Sequence, residues 1–150
     1  MTPKQKQLVR DSFAKVKPIA HAAAAMFYDR LFVLDPSVRP LFKGDMEEQG
    51  RKLMAMIATA VASLDKIETI VPAMHDLGRR HSGYGVKPAN YDTVGTALLW
   101  TLEQGLGADF TAETREAWTA CYTLLAGEMK SAAAKGATAA AKPGKMRKSA

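Results

Sequence analysis

Apolar side chains recur every three or four residues along most of the chain, which is the spacing of helices that bury one face. One clear stripe begins near residue 46 and consists of Gln49, Leu53, Ile57, Ala60 and Leu64. No segment alternates apolar and polar positions in the manner of a half-buried strand. The pattern therefore predicts an all-α fold of seven or eight helices.

Capping residues, prolines and glycines mark the predicted helix ends. Thr2 can cap a first helix that carries Pro3 at its first position. Asp65 and Glu68 form a capping-box-like pair for a later helix, and Thr111 can cap the last one. The helices between the first and the last are predicted at about residues 19–32, 35–41, 46–63, 65–81 and 90–104.

The net charge of +6 is concentrated at the C-terminal end of the chain. Residues 130–150 contain six Lys or Arg side chains and no acid, so the residues before them are neutral overall. This end is rich in Ala, Gly and Pro and has almost no large apolar side chain, so burial cannot offset its ordering entropy. We predict a folded domain over residues 1–130, not expected to bind nucleic acid, and a flexible, disordered basic tail over 131–150 whose partner is unknown.

A cytoplasmic location is expected from three features of the sequence. No apolar run approaches the ~20 residues that cross a bilayer, and the N-terminal residues lack the apolar segment of a secretory signal. The single cysteine, Cys121, fits a reducing compartment. It lies on an apolar helical stripe, so we expect a packed thiol rather than a nucleophile.

Among the histidines, His81 has the most informative position. It ends an apolar stripe four residues after Leu77, and glycines follow it closely. An imidazole there could hold haem iron at the floor of an apolar slot, with Arg80 near the rim. The alternative is a helix-terminal histidine favoured by the helix dipole. We expect His75 on the surface and His21 in a packing or solvent-facing position.

Two polar residues interrupt apolar surroundings. Gln49 shares a helix face with Leu53, and Tyr28 lies in an aromatic run with Phe27 and Phe32. Buried hydrogen-bonding groups are costly without partners. The partner could be a bound ligand, or it could be backbone or water.

Three segments together resemble a known family. They are FYDRLFVLDPSVRPLF, EEQGRKLMAMIATAV and LGRRHSGYGVKPANYDTVGTALLWTLEQGLGADFTAETREAWTACY. The chain resembles bacterial single-domain globins over about residues 4–129, and it is similar to neuroglobin and to the haem domain of flavohaemoglobins. The resemblance implies a globin fold around one haem b (iron protoporphyrin IX).

The resemblance also implies a role for individual residues. His81 matches the proximal iron ligand and is the one expected metal ligand. On the opposite side, Tyr28 matches the distal tyrosine of flavohaemoglobins, and Gln49 matches the distal residue that is histidine in many animal globins. Lys52 and Arg80 are expected at the haem carboxylates. Further haem contacts are expected from Phe42, Leu53, Val86 and Tyr91.

The chain departs from the flavohaemoglobin pattern in two ways. These proteins have a proximal His–Tyr–Glu network, in which His81 and Tyr91 match, but the glutamate position falls at about Ala133. We therefore expect an incomplete network. No flavin- or nicotinamide-binding motif of a reductase domain follows in the sequence.

The function implied first is dioxygen binding with high affinity and slow release, because Tyr28 and Gln49 can donate hydrogen bonds to the bound gas. Such a protein would suit storage rather than rapid transport, and it would also take CO and NO. The first alternative is a nitric oxide dioxygenase, served by a separate reductase, in which Tyr28 and Gln49 would be the catalytic residues. The second is a gas sensor or interaction module. Because Gln49 replaces the distal histidine of neuroglobin, we expect no protein-derived sixth ligand; Lys52 is the alternative.

Overall fold

The computed structural model describes the backbone of residues 1–140 and the side chains of residues 1–134. This part of the chain contains six α-helices: α1 Pro3–Val16, α2 Ala20–Leu34, α3 Met46–Ala62, α4 Val71–Gly83, α5 Pro88–Leu106 and α6 Ala112–Ala140. Short 3-10 helices occupy Lys17–Ile19, Pro36–Leu41, Leu64–Thr69 and Gly107–Asp109. The described backbone contains no strand. The all-α prediction is confirmed, and over residues 1–140 the six α-helices and the two six-residue 3-10 helices together make eight helices.

Two predicted helix caps are confirmed. The Thr2 side chain accepts a hydrogen bond from the Gln5 backbone N–H, and the Gln5 side chain accepts one from the Thr2 N–H. At the start of α6, the Thr111 hydroxyl accepts from the Thr114 N–H at 3.1 Å. These bonds satisfy backbone donors that a helix start leaves free.

The predicted capping pair of Asp65 and Glu68 was wrong. The segment Leu64–Thr69 forms a kinked 3-10 helix without a side-chain cap, and α4 begins only at Val71. The Asp65 carboxylate instead accepts a hydrogen bond from Arg10 at 2.7 Å. The Asp65 carboxylate, which the local sequence pattern assigned to a helix cap, therefore forms a long-range ion pair instead.

The core lies where α1, α3, α5 and α6 meet. Its buried residues include Val9, Phe13, Val16, Leu102, Trp118 and Cys121. The Trp118 Nε1 donates to the Ser12 hydroxyl at 2.8 Å, which satisfies a buried donor inside this core. Cys121 is 2% exposed, so the predicted packed thiol is confirmed.

The strongest packing of α4 is on α6, and that of α2 is on α5. Between α4 and α6, the His75 Nε2 and a Glu128 carboxylate oxygen are 2.8 Å apart. The His75 side chain, which was expected on the surface, is 30% exposed and thus partly covered by this contact. Its partner lies 53 residues away and gives no local signal.

The last helix passes the predicted domain boundary at residue 130. It continues to Ala140, and Ala132 is 3% exposed. Residues 141–150 of the predicted tail lie outside the described residues. Among the helices that are described, none has the length and apolar character needed to cross a bilayer. The cytoplasmic location stays a prediction.

Candidate functional site

Tyr28 and Gln49 lie side by side because α2 and α3 approach each other closely. A Cβ on Gly50 would stand 3.0 Å from the Cβ of Ala24, which is one turn before Tyr28. A larger residue at position 50 would push the two helices apart. Gln49 is half-buried beside Gly50, and its side-chain amide lies near the Tyr28 hydroxyl. The structure thus brings the two predicted gas-binding residues together.

Other aromatic side chains enclose the Tyr28 ring. The ring centroids of Phe27 and Phe42 lie 4.9 Å and 5.3 Å from it, both in edge-on arrangements. Burial raises the pKa of the Tyr28 hydroxyl, and the nearby Gln49 side-chain amide opposes that rise. The hydroxyl therefore keeps its proton at neutral pH and can donate it in a hydrogen bond.

Phe42 and Leu53, two of the predicted haem contacts, belong to the same wall. The Arg39 guanidinium donates to the Phe42 carbonyl at 3.0 Å and holds the backbone that presents the ring. Leu53 lies one turn after Gln49 and packs against both the aromatic cluster and the main core. Tyr28, Gln49, Phe42 and Leu53 form what we call the distal wall.

His81 lies in the last turn of α4. Its Nδ1 is buried without a hydrogen-bond partner among the described residues. Burial lowers the pKa of His81; the Leu77 carbonyl one turn earlier raises it, and the Arg80 charge lowers it further. The Leu77 carbonyl lies close to the ring, but not in hydrogen-bond geometry. The result is a neutral imidazole, the form that binds metal.

Val86 and Tyr91, the other predicted proximal residues, lie beside His81. The Val86 N–H donates to the His81 carbonyl at 2.9 Å, and Gly85 makes this turn with φ at +96°. The Tyr91 ring stacks on the imidazole with centroids 6.5 Å apart and planes 25° apart. The Tyr91 hydroxyl is buried without a partner among the described residues.

The predicted carboxylate-binding cations are both exposed at the surface. Lys52 is 70% exposed, and its Nζ lies 3.9 Å from Glu48. Arg80 is 47% exposed and pairs with Asp76 at 3.1 Å. Both pairs join residues four apart on one helix, where such pairs contribute only about 0.3–0.5 kcal/mol. Either cation is free to exchange its partner for another anion at low cost.

The arrangement fits a flat apolar cofactor held by His81. α3 carries Gln49 and Leu53 of the distal wall, and α4 carries His81. These two helices do not pack closely on each other, since α3 rests on α2 and α4 on α6. Two buried polar atoms without partners, the His81 Nδ1 and the Tyr91 hydroxyl, stand on the proximal side. An iron porphyrin needs a neutral imidazole such as that of His81 on one side and an apolar wall on the other.

A separate apolar cavity of about 20 Å³ lies behind Leu53 and Phe27. Its remaining lining residues come from α1, α2, α3, α5 and α6, and none from α4. Cofactor sites usually have roughly 300–1,000 Å³, so this cavity is not the candidate site.

Three residues that shape the site were not singled out from the sequence. Gly50 allows α2 and α3 to meet, Gly78 allows α4 to meet α6, and the Tyr122 hydroxyl donates to the Tyr91 carbonyl at 2.6 Å. Glycine inside a helix costs about 1 kcal/mol relative to alanine. Gly50 and Gly78 therefore each mark a close contact with a neighbouring helix.

Comparisons with known proteins agree on one family. Residues 25–129 match the globin family. Neuroglobins of Danio rerio and Tetraodon nigroviridis are 31% and 30% identical to the chain over 143 residues, which is 86% of this chain and 90% of each relative. The neuroglobin of Chaenocephalus aceratus is 29% identical over 149 residues. These vertebrate relatives do not support the expected bacterial origin or the likeness to flavohaemoglobins.

Proposed function

Because the chain belongs to the globin family, we propose that it is a haem protein that binds dioxygen with high affinity, through iron on His81 and donors on Tyr28 and Gln49. Haem binding and the binding of a diatomic gas follow from the family. The high affinity for dioxygen and the roles of the individual residues go beyond what the family implies and are our proposal. A haem of b type fits, because the chain has one cysteine and no CxxCH motif for covalent attachment.

His81 would hold the haem. When bound, the haem supplies an iron atom with one coordination position open to a gas such as O2, CO or NO. Burial keeps the imidazole neutral. Phe42 and Leu53 would cover the haem with apolar surface, and Val86 and Tyr91 would pack on the side of His81. Lys52 and Arg80 would exchange their present partners for the haem carboxylates.

The observation that carries the proposal is the buried phenol of Tyr28 beside Gln49. A protonated hydroxyl and an amide face an otherwise apolar wall, so both can donate to negative charge that develops on a bound gas. A hydrogen bond to a charged acceptor is worth about 1.5–3 kcal/mol. Dioxygen would gain more from these donors than carbon monoxide, which is less polar when bound.

Nitric oxide dioxygenation is the second candidate function. It was suggested by the resemblance to flavohaemoglobins. The pairing of Tyr91 with His81 favours it. NO and O2 would combine to give nitrate, and a separate reductase would return one electron to the iron in each cycle. Against it, Ala133 stands where the resemblance places the network's glutamate, and Glu128 on the same helix pairs with His75. Gas binding is therefore the better-supported function.

The visible spectrum of the haem-loaded protein, reduced without oxygen, tests the proposal. A single broad band is expected, because only His81 would bind the iron. Sharp split bands would show that a second side chain binds the iron, and Lys52 would be the first candidate. That result would contradict an open gas site. Failure to take up haem would contradict the assignment of His81 as well.

A further inference from the structure

Arg39, in the 3-10 helix Pro36–Leu41, contacts two aromatic residues at once. Its guanidinium donates to the Phe42 carbonyl at 3.0 Å, and its Cζ lies 5.1 Å from the centroid of the Phe32 ring. The rings of Phe32 and Phe42 are themselves 5.5 Å apart, with planes inclined by 64°. A guanidinium over an aromatic face is attracted by the negative charge of that face. One side chain therefore binds the backbone of Phe42 and also the ring on which Phe42 packs.

The Phe42 carbonyl is a group that the helix end leaves without a helical partner. The Phe42 N–H closes the last turn by donating to the Arg39 carbonyl at 3.1 Å. The backbone of Phe42 is extended, with φ at −103° and ψ at 102°, so the chain leaves the helix at this residue. Carbonyls at a helix end must find acceptor partners outside the helix. Within the described residues, the Arg39 side chain is the one donor to this carbonyl.

The chain that follows Phe42 gives it little support. Residues 43–45 are exposed, and a Cβ on Gly44 would meet nothing within 4 Å. The next helix, α3, begins at Met46. A segment with so few buried contacts can open locally at low cost. The position of the Phe42 backbone therefore depends strongly on the bond from Arg39.

We propose that Arg39 is a positioning residue that controls how firmly the protein retains haem: by binding the Phe42 backbone, it keeps the Phe42 ring in the distal wall. This proposal rests on the proposed function, because it concerns the haem that Phe42 is expected to cover. The Arg39 side chain is exposed and forms no ion pair with a described residue. It acts through Phe42.

The first measurement is the rate at which trypsin cleaves the full chain after Lys43, followed by the mass of the released fragment. Trypsin does not cut before proline, so replacing Arg39, which precedes Pro40, removes no cleavage site. Arg39→Met keeps a long side chain without donors and should speed this cleavage about two- to tenfold, as expected for the loss of one hydrogen bond. Arg115→Met, which removes a guanidinium 5.8 Å from the Phe110 ring centroid, is the matched control and should leave the rate unchanged.

The second measurement is the rate of haem loss from the haem-loaded protein to an excess of a haem-free globin. Arg39→Met should raise this rate about two- to tenfold. Arg39→Lys, which keeps the charge and a donor, should raise it less. In a Phe42→Leu background, Arg39→Met should add little, because the ring through which Arg39 acts is gone. An equal effect with and without the Phe42 ring would overturn the proposal, since Arg39 would then act on the haem by another route.

An Arg39→Met protein with a lower melting temperature but wild-type rates of cleavage and haem loss would also overturn the proposal, because Arg39 would then serve stability alone. Failure of the wild-type protein to take up haem would instead contradict the proposed function. The cleavage after Lys43 needs no haem, so it separates the two failures.

Discussion

Gly78 lies directly against the backbone of Met129, so that a Cβ at position 78 would overlap the Met129 carbonyl. The contact joins α4 to α6 one turn before His81. Backbone cannot yield as a flexible side chain does, so the glycine sets the distance between the two helices. The position of the candidate iron ligand therefore depends on a residue without a side chain.

Gly78→Ala is expected to destabilise the protein by about 1–3 kcal/mol, because the helices must move apart to admit one methyl group. It should also weaken haem binding, since α4 carries His81. Chemical unfolding and haem titration measure the two effects. Gly127→Ala is the control: nothing lies within 4 Å of a Cβ there, so it should be neutral or stabilising. Wild-type stability in Gly78→Ala would show that the contact is not tight.

His81→Gly is expected to abolish haem ligation by the protein. Free imidazole should restore the spectrum of the reduced protein, because it replaces the lost ligand without a covalent link. His21→Ala removes a histidine that is 75% exposed and should keep the wild-type spectrum. Retention of a wild-type spectrum by His81→Gly without imidazole would place the ligand elsewhere.

Tyr28→Phe should increase the rate of dioxygen release by about tenfold or more, since a hydrogen bond to a charged acceptor is worth roughly 1.5–3 kcal/mol. Carbon monoxide release should change less. Stopped-flow measurements on the two gases give both rates, with Tyr84→Phe as the exposed tyrosine control. An unchanged dioxygen rate in Tyr28→Phe would remove this residue from the set of donors.

Cys121 is expected to make stability fall at alkaline pH. Burial raises its pKa to about 11, whereas an unfolded cysteine ionises near 8.5. Between these values the unfolded chain releases a proton that the folded protein keeps, so stability decreases as pH rises, by at most about 1.4 kcal/mol per pH unit. Below this window the contribution is constant. Urea unfolding from pH 8 to 11 should show a shallower decline in Cys121→Ala; parallel curves would contradict the raised pKa.

The parts of the fold that local chemistry controls could be predicted from the sequence. Thr2 and Thr111 cap helices because their hydroxyls reach backbone donors three residues on. Asp65 matched the same local pattern, but Arg10 lies far away in sequence and takes its carboxylate. The difference is that a cap depends on its own neighbours, while an ion pair depends on the whole fold.

In the candidate site, too, some neighbours could be predicted from local spacing and others depend on the whole fold. Gln49 and Leu53 share a face by helical spacing alone, and the structure keeps them together in the distal wall. The partners of Tyr91 could not be read from spacing, because Tyr122 and His81 reach it from other helices. The resemblance to globins indicated His81 and Tyr91 as a pair, but it did not indicate that Tyr122 contacts Tyr91.

The hydrogen bond between Trp118 and Ser12 joins positions 106 residues apart. Lys4 reaches Glu113 across the same two helices at 2.8 Å. During synthesis, α1 is therefore made long before the helix on which it rests, and Val9 and Phe13 stay without much of their final packing while the middle of the chain emerges. The contacts between α1 and α6 can form only after α6 has been synthesised, so the core cannot be completed before the last helix has left the ribosome.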